Sequence, residues 1–293
     1  MGASHCNRNA RTAESDAAEV LCTSHVRCVE GDRIRGDLYG KQESSSSAIF
    51  LHGFAGGRTA LAHHCRKLCR EQDAVAFAPD LTSLTRGGSV REVFVDKSVP
   101  SAQERNVRQV VDHVKWLREN PRLQEKPLAI VGHSAGGAIG LEAAVALQDV
   151  GAAPAVVVLL DAVPWPRTCD LAARFNLATT KLISIRAEPS VWNKEGAIAE
   201  ALQRVPRLKE EDGQGQLVDL KVVGAKHGDP MQPSLLLKAL GLLGTGEEPM
   251  RKLLQAYLSQ ALGLMPAPPA PAEVLRELQE SGKVVDLGKQ SSN

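Results

Sequence analysis

Two periods of apolar and polar positions take turns along the chain. Short apolar runs at 48–51 (AIFL), 74–78 (AVAFA), 127–131 (PLAIV), 156–160 (VVVLL) and 182–185 (LISI), with the more mixed VDLKVV at 218–223, have the length and β-branched content of buried strands. Between them, 61–72, 102–119, 135–147 and 196–205 read as helices. The clearest is 102–119, where Val107, Val110, Val111, Val114 and Leu117 form one apolar stripe. Strands alternating with helices at this spacing predict an α/β fold, a mostly parallel sheet with helices on both faces. Ahead of it, two β-prone segments within 19–40 flank Gly31-Asp32 and predict an antiparallel hairpin. After it come helices at about 233–243 and 248–262, a stiff Pro/Ala stretch from Met265, and a helix at 272–280. The expected division is a disordered lead-in over 1–18, one domain over 19–264, and a linker with a helical tail over 265–293. Whether that tail docks on the domain is left open by the sequence.

In sheets of this kind ligands bind at the carboxyl ends of the strands, so reactive groups are expected directly after the apolar runs. Gly132-His133-Ser134-Ala135-Gly136 stands in such a place, following PLAIV and opening the helix AGGAIGLEAAVAL. A strand-to-helix turn this tight strains the backbone of the serine. It also needs small residues on either side, which Gly132 and Gly136 supply.

Composition narrows the partners. The 35 basic and 34 acidic residues nearly cancel, and aromatic residues make up only 3%, which argues against nucleic acid as a ligand and favours a small molecule. No run approaches the roughly 18–20 apolar residues that span a bilayer, and the polar start MGASHCNRNA lacks the apolar core of a secretory signal, so a cytoplasmic location is expected. Of six cysteines, Cys65 and Cys69 lie four apart beside His63 and His64; no second such cluster completes zinc spacing, and reduced, half-buried thiols on a helix are expected. No phosphate-cradling glycine loop is present, and neither a metal nor an organic cofactor is expected.

GHSAGG after an apolar strand resembles the nucleophile elbow of the α/β-hydrolase superfamily, and the resemblance runs over about 45–230. It implies a central, mostly parallel sheet, a nucleophile at Ser134 and an oxyanion hole. One donor would be the backbone N–H of Ala135. His52-Gly53-Phe54 is similar to the family's H-G-x element, which implies Phe54 as the second donor. Among the eight histidines, His227 alone follows the last strand at a carboxyl end, in the chain order Ser, acid, His that this fold uses. Two carboxylates follow strands between Ser134 and His227. Glu188, after LISI, is where the family most often places its acid and is the first choice; Asp161, after VVVLL, is the alternative, whereas Asp229 is too near His227 in sequence.

Only about 20 residues separate VVVLL from LISI, too few for a large lid. Loops at 81–100 and 162–178 are therefore expected to cover the site, with Val93, Phe94, Trp165 and Phe175 as apolar contacts and His52, Gly53 and His133 in the pocket wall. An open apolar site suits carboxylic esters, and among lidless relatives the chain loosely resembles chlorophyllase-like and dienelactone-hydrolase-like esterases. A catalytically silent binding protein on this fold, and acyl transfer through the same acyl-enzyme, are the alternatives; the oligomeric state is not legible.

Overall fold

The computed structural model describes residues 22–29, 32–41, 43–81, 99–207, 217–264 and 269–288. The lead-in 1–18, most of the loop 81–100 with Val93 and Phe94, and the start of the Pro/Ala stretch lie outside the described residues.

The strands are β1 (Cys22–Val29), β2 (Asp32–Tyr39), β3 (Ser46–Leu51), β4 (Ala74–Pro79), β5 (Leu128–His133), β6 (Val156–Leu160), β7 (Lys181–Arg186), β8 (Leu217–Val222) and β9 (Val284–Asp286). They form one sheet in the order β1-β2-β4-β3-β5-β6-β7-β8-β9. The pairs from β4 through β3, β5, β6 and β7 to β8 are parallel. Antiparallel pairs close both sides: β1 on β2 and β2 on β4 at one, β8 on β9 at the other. The predicted hairpin is thus present, with Val29 opposite Asp32.

The helices are α1 (Ala62–Glu71), α2 (Val99–Glu119), α3 (Ala135–Asp149), α4 (Thr168–Ala172), α5 (Ile198–Arg204), α6 (Leu235–Ala239), α7 (Glu247–Leu262) and α8 (Pro271–Glu280). Alternate strand residues feed two cores, as the period of two requires. Phe50, Val131, Val158 and Ile183 pack under α1, α7 and α8, while Ile49, Ile130, Val157 and Leu182 pack under α2, α3 and α5. The predicted stripe of α2 is the buried one, with Val107, Val110, Val114 and Leu117 in the second core and Val111 partly buried against it.

Two features go beyond the sequence reading. The chain after the linker docks: Val274 and Leu278 of α8 enter the first core, and β9 adds a ninth strand beside β8. Between β6 and β7 lies only the short α4 with its loops, and Phe175, expected at the pocket, is instead buried in the second core. Among the described residues no helix is long and apolar enough to cross a membrane.

Candidate active site

β5 ends at His133 and α3 starts at Ala135, so Ser134 alone makes the turn. Its backbone sits at φ 55°, ψ −126°, a strained conformation held by Ser134 N–H donating to the Leu160 carbonyl at 3.1 Å and by Val163 N–H donating to the Ser134 carbonyl at 3.0 Å. A Cβ on Gly132 would lie 2.3 Å from the Gly136 carbonyl oxygen, so strand and helix close on each other only with glycine there.

The loop after β3 passes directly over the serine. A Cβ on Gly53 would lie 2.7 Å from the Ser134 Cβ, which puts the chain entering Phe54 against the nucleophile turn. A Gly56 N–H bond to the Gly53 carbonyl closes that turn at 3.2 Å, and Phe54 is half-buried against the second core. Ala135, the other expected oxyanion donor, is buried at the first position of α3.

His227 follows β8 and reaches Ser134: its Nε2 lies 3.0 Å from the Ser134 Oγ. Its Nδ1 lies 2.6 Å from Asp161 Oδ2. An ionised carboxylate only accepts, so Nδ1 carries the proton and Nε2 presents its lone pair to the serine hydroxyl. Asp161 is the first residue after β6, at φ 43°, with its side chain buried. Its Oδ1 also accepts from Ala187 N–H at 3.0 Å and from Asn193 Nδ2 at 3.1 Å.

Glu188, the first-choice acid of the sequence reading, points elsewhere. Its carboxylate pairs with Lys221 Nζ at 3.2 Å, accepts from Gly224 N–H at 3.3 Å, and is 39% exposed. The alternative, Asp161, is the carboxylate on His227, because it leaves its strand one residue past the end and turns inward.

Two expected pocket residues are braces instead. His52 is buried, donating from Nδ1 to the Gly53 carbonyl at 2.7 Å and accepting at Nε2 from Leu81 N–H at 2.9 Å. Burial lowers its basicity, consistent with this neutral form. His133 is buried and donates from Nε2 to the His227 carbonyl at 2.7 Å; burial, with the neighbouring His227, pushes it down to about 3. His64 of α1 similarly holds the Pro230 carbonyl at 2.9 Å. Asp229, set aside as an acid, is buried and accepts from Lys226 N–H at 3.0 Å and Gly246 N–H at 2.9 Å, which clasps the turn carrying His227. Trp165 is half-buried against the second core, its backbone N–H donating to Thr168 Oγ1 at 2.9 Å.

Thr168 in turn donates to Glu142 at 2.8 Å, and Gln103 donates to the same carboxylate. Arg167 Nε stands 3.3 Å from its second oxygen. Burial dominates over these partners and pushes Glu142 up to about 7. The thiols of Cys65, buried, and Cys69, partly buried, are free. No group of three or more metal-ligating side chains is drawn together among the described residues.

A parallel sheet with a strained serine on the strand-to-helix turn, a histidine after the last parallel strand and a buried aspartate between them defines an α/β-hydrolase-type protein. The chain belongs to the alpha/beta hydrolase family, whose model matches residues 48–280. Its fold is similar to carboxyl esterase 2 from Tuber melanosporum, at 16% identity, with 86% of this chain and 89% of that one covered and a TM-score of 0.59. It is likewise similar to a fungal esterase from Rhizomucor miehei, at 17% identity, 85% and 86% coverage and a TM-score of 0.57. A dienelactone hydrolase from Anabaena variabilis aligns at 17% identity over 75% of this chain and 93% of its own, with a TM-score of 0.51. No curated protein matches the chain by sequence.

Proposed function

We propose that the protein is a serine hydrolase that cleaves carboxylic esters, with Ser134 as nucleophile, His227 as general base and acid, and Asp161 orienting and stabilising His227. The observation that carries this reading is the continuous relay from Ser134 Oγ to His227 Nε2 at 3.0 Å and from His227 Nδ1 to Asp161 Oδ2 at 2.6 Å. The esterase likeness of the structural neighbours agrees with it.

The chemistry follows from those atoms. Ser134 Oγ attacks the ester carbonyl carbon while its proton passes to His227 Nε2. Asp161 stabilises the imidazolium that forms. Negative charge collects on the former carbonyl oxygen, where the N–H groups of Phe54 and Ala135 would receive it; each such donor contributes about 10²–10³-fold in other hydrolases. The imidazolium returns its proton to the leaving alkoxide, which departs as an alcohol. Water then attacks the acyl-serine, giving its proton to His227, and the acid leaves as Ser134 regains a hydrogen. The short β6–β7 connection leaves room for an open, loop-walled pocket with Trp165 as an apolar wall, suited to neutral esters.

Fluorophosphonates test the assignment. The wild-type protein is expected to be labelled and to hydrolyse p-nitrophenyl butyrate, and Ser134→Ala to do neither. Equal labelling of the two proteins would overturn the assignment of the nucleophile. Labelling without hydrolysis across acyl lengths would replace ester hydrolysis by another use of the same serine.

A further inference from the structure

Asn193 lies in the strained turn after β7, next to two residues in the left-handed region, Lys194 at φ 50° and Glu195 at φ 57°. Its neighbours Val191 and Trp192 are 80% and 51% exposed, yet Asn193 itself is buried. A short amide side chain driven inward from an exposed, strained turn needs a reason, and its contacts supply one.

Every polar atom of that side chain is engaged. Nδ2 lies 3.1 Å and 3.2 Å from the two oxygens of Asp161 and 2.9 Å from the backbone carbonyl of Glu188. Oδ1 accepts from Ser190 N–H at 2.8 Å and Gly196 N–H at 3.0 Å. Lys194 Nζ caps the Pro164 carbonyl at 3.1 Å, which ties the same turn to the loop that follows Asp161. One hydrogen of Nδ2 is shared across the carboxylate, and the other holds the main chain of the rival acid.

We infer that Asn193 is a positioning residue that selects Asp161 over Glu188 as the partner of His227; this rests on the function proposed above. It acts in two ways through the same amide. A neutral donor across both oxygens fixes the carboxylate plane and stabilises its charge in a buried place without competing with His227 for the proton. Its grip on the Glu188 carbonyl fixes the strand-end backbone, while the Glu188 side chain is taken up by Lys221 and Gly224. The acid is therefore supplied by the β6 edge, and the β7 edge supplies its support.

The test replaces the amide in the full-length chain. Asn193→Leu keeps most of the volume and removes the donors. It is expected to lower kcat per folded molecule by about 10–100-fold with KM changed less than about twofold, since a displaced base costs rate rather than binding. The downfield proton resonance of the His227 Nδ1–H to Asp161 bond, read by NMR, is expected to move or broaden in the same variant. Should Asn193→Leu not fold, Asn193→Ser and Asn193→Ala form a matched pair of small side chains. The serine, with a hydroxyl donor, is then expected to retain the greater kcat. Unchanged kcat per folded molecule with an unmoved resonance, or equal rates for the serine and alanine variants, would overturn the inference. Absence of hydrolysis by wild type would instead count against the proposed function, and the NMR resonance would still decide the role of Asn193.

Discussion

Asp161 and Glu188 occupy comparable places, just past the ends of the neighbouring parallel strands β6 and β7, and their surroundings divide them. Asp161 turns in at φ 43°, is buried, and is surrounded by donors: Ala187 N–H, the Asn193 amide and His227. Glu188 leaves outward and is 39% exposed beside Lys221. A strand end therefore offers a carboxylate two outcomes. Which one it takes depends on the backbone direction at the first residue and on whether neutral donors are waiting inside. Exposed ion pairs such as Glu188–Lys221 add roughly 0–1 kcal/mol, whereas a buried, hydrogen-bonded carboxylate next to an imidazole is positioned for chemistry.

The largest expected effect breaks the comparison at His227, the ring that Asp161 contacts. His227→Ala is expected to lower kcat by about 10⁴-fold or more, and adding Asp161→Asn to that variant to cost almost nothing further, because residues acting as a unit are not additive. Steady-state hydrolysis of p-nitrophenyl butyrate by the two variants checks this; a further large loss in the double variant would show that Asp161 works through something other than His227.

A third carboxylate sharpens the contrast. Glu142 is as deeply buried as Asp161 but has no imidazole beside it among the described residues, and burial, which its partners do not offset, raises its pKa from 4.5 to about 7. A carboxyl group with a raised folded pKa contributes stability below its unfolded pKa and loses it as pH rises through the folded one. Glu142→Gln is therefore expected to gain about 1–3 kcal/mol on wild type between pH 4.5 and 8, measured as the difference in unfolding free energy across that range. A difference independent of pH would contradict the raised value. The same network reaches Trp165 through Thr168, so KM for apolar esters is the activity parameter expected to respond.

Lys221→Ala should give the smallest effect. Removing the half-exposed partner of Glu188 is expected to change stability by less than about 1 kcal/mol and leave kcat within about twofold. A marked fall in kcat would mean that Glu188 serves the site after all.

These contrasts also mark what the sequence makes legible. The parallel sheet is written in the apolar runs at 48–51, 127–131 and 156–160, and the α2 stripe in the spacing of its valines, because burial on one or both faces imposes a period directly. That Ser134 and His227 come together is legible because each follows a strand end with little alternative. The choice between Asp161 and Glu188 is not, since both satisfy the same positional rule. What separates them is a φ angle and the inward amide of Asn193, neither of which leaves a periodic signal. His52 and His133 were expected in the pocket wall because they flank its loops, but both rings are buried and brace backbone carbonyls. β9 escapes for a simpler reason: three residues, VVD, are too few to show alternation, and only pairing with β8 makes them a strand.

The account turns on which carboxylate serves the base, and one measurement reads that directly. The rate of fluorophosphonate labelling at Ser134 is compared for wild type, Asp161→Asn and Glu188→Gln at matched folded concentration. The geometry predicts labelling slowed by about 10³–10⁴-fold in Asp161→Asn and within about twofold of wild type in Glu188→Gln. Slow labelling of Glu188→Gln with wild-type behaviour of Asp161→Asn would contradict it.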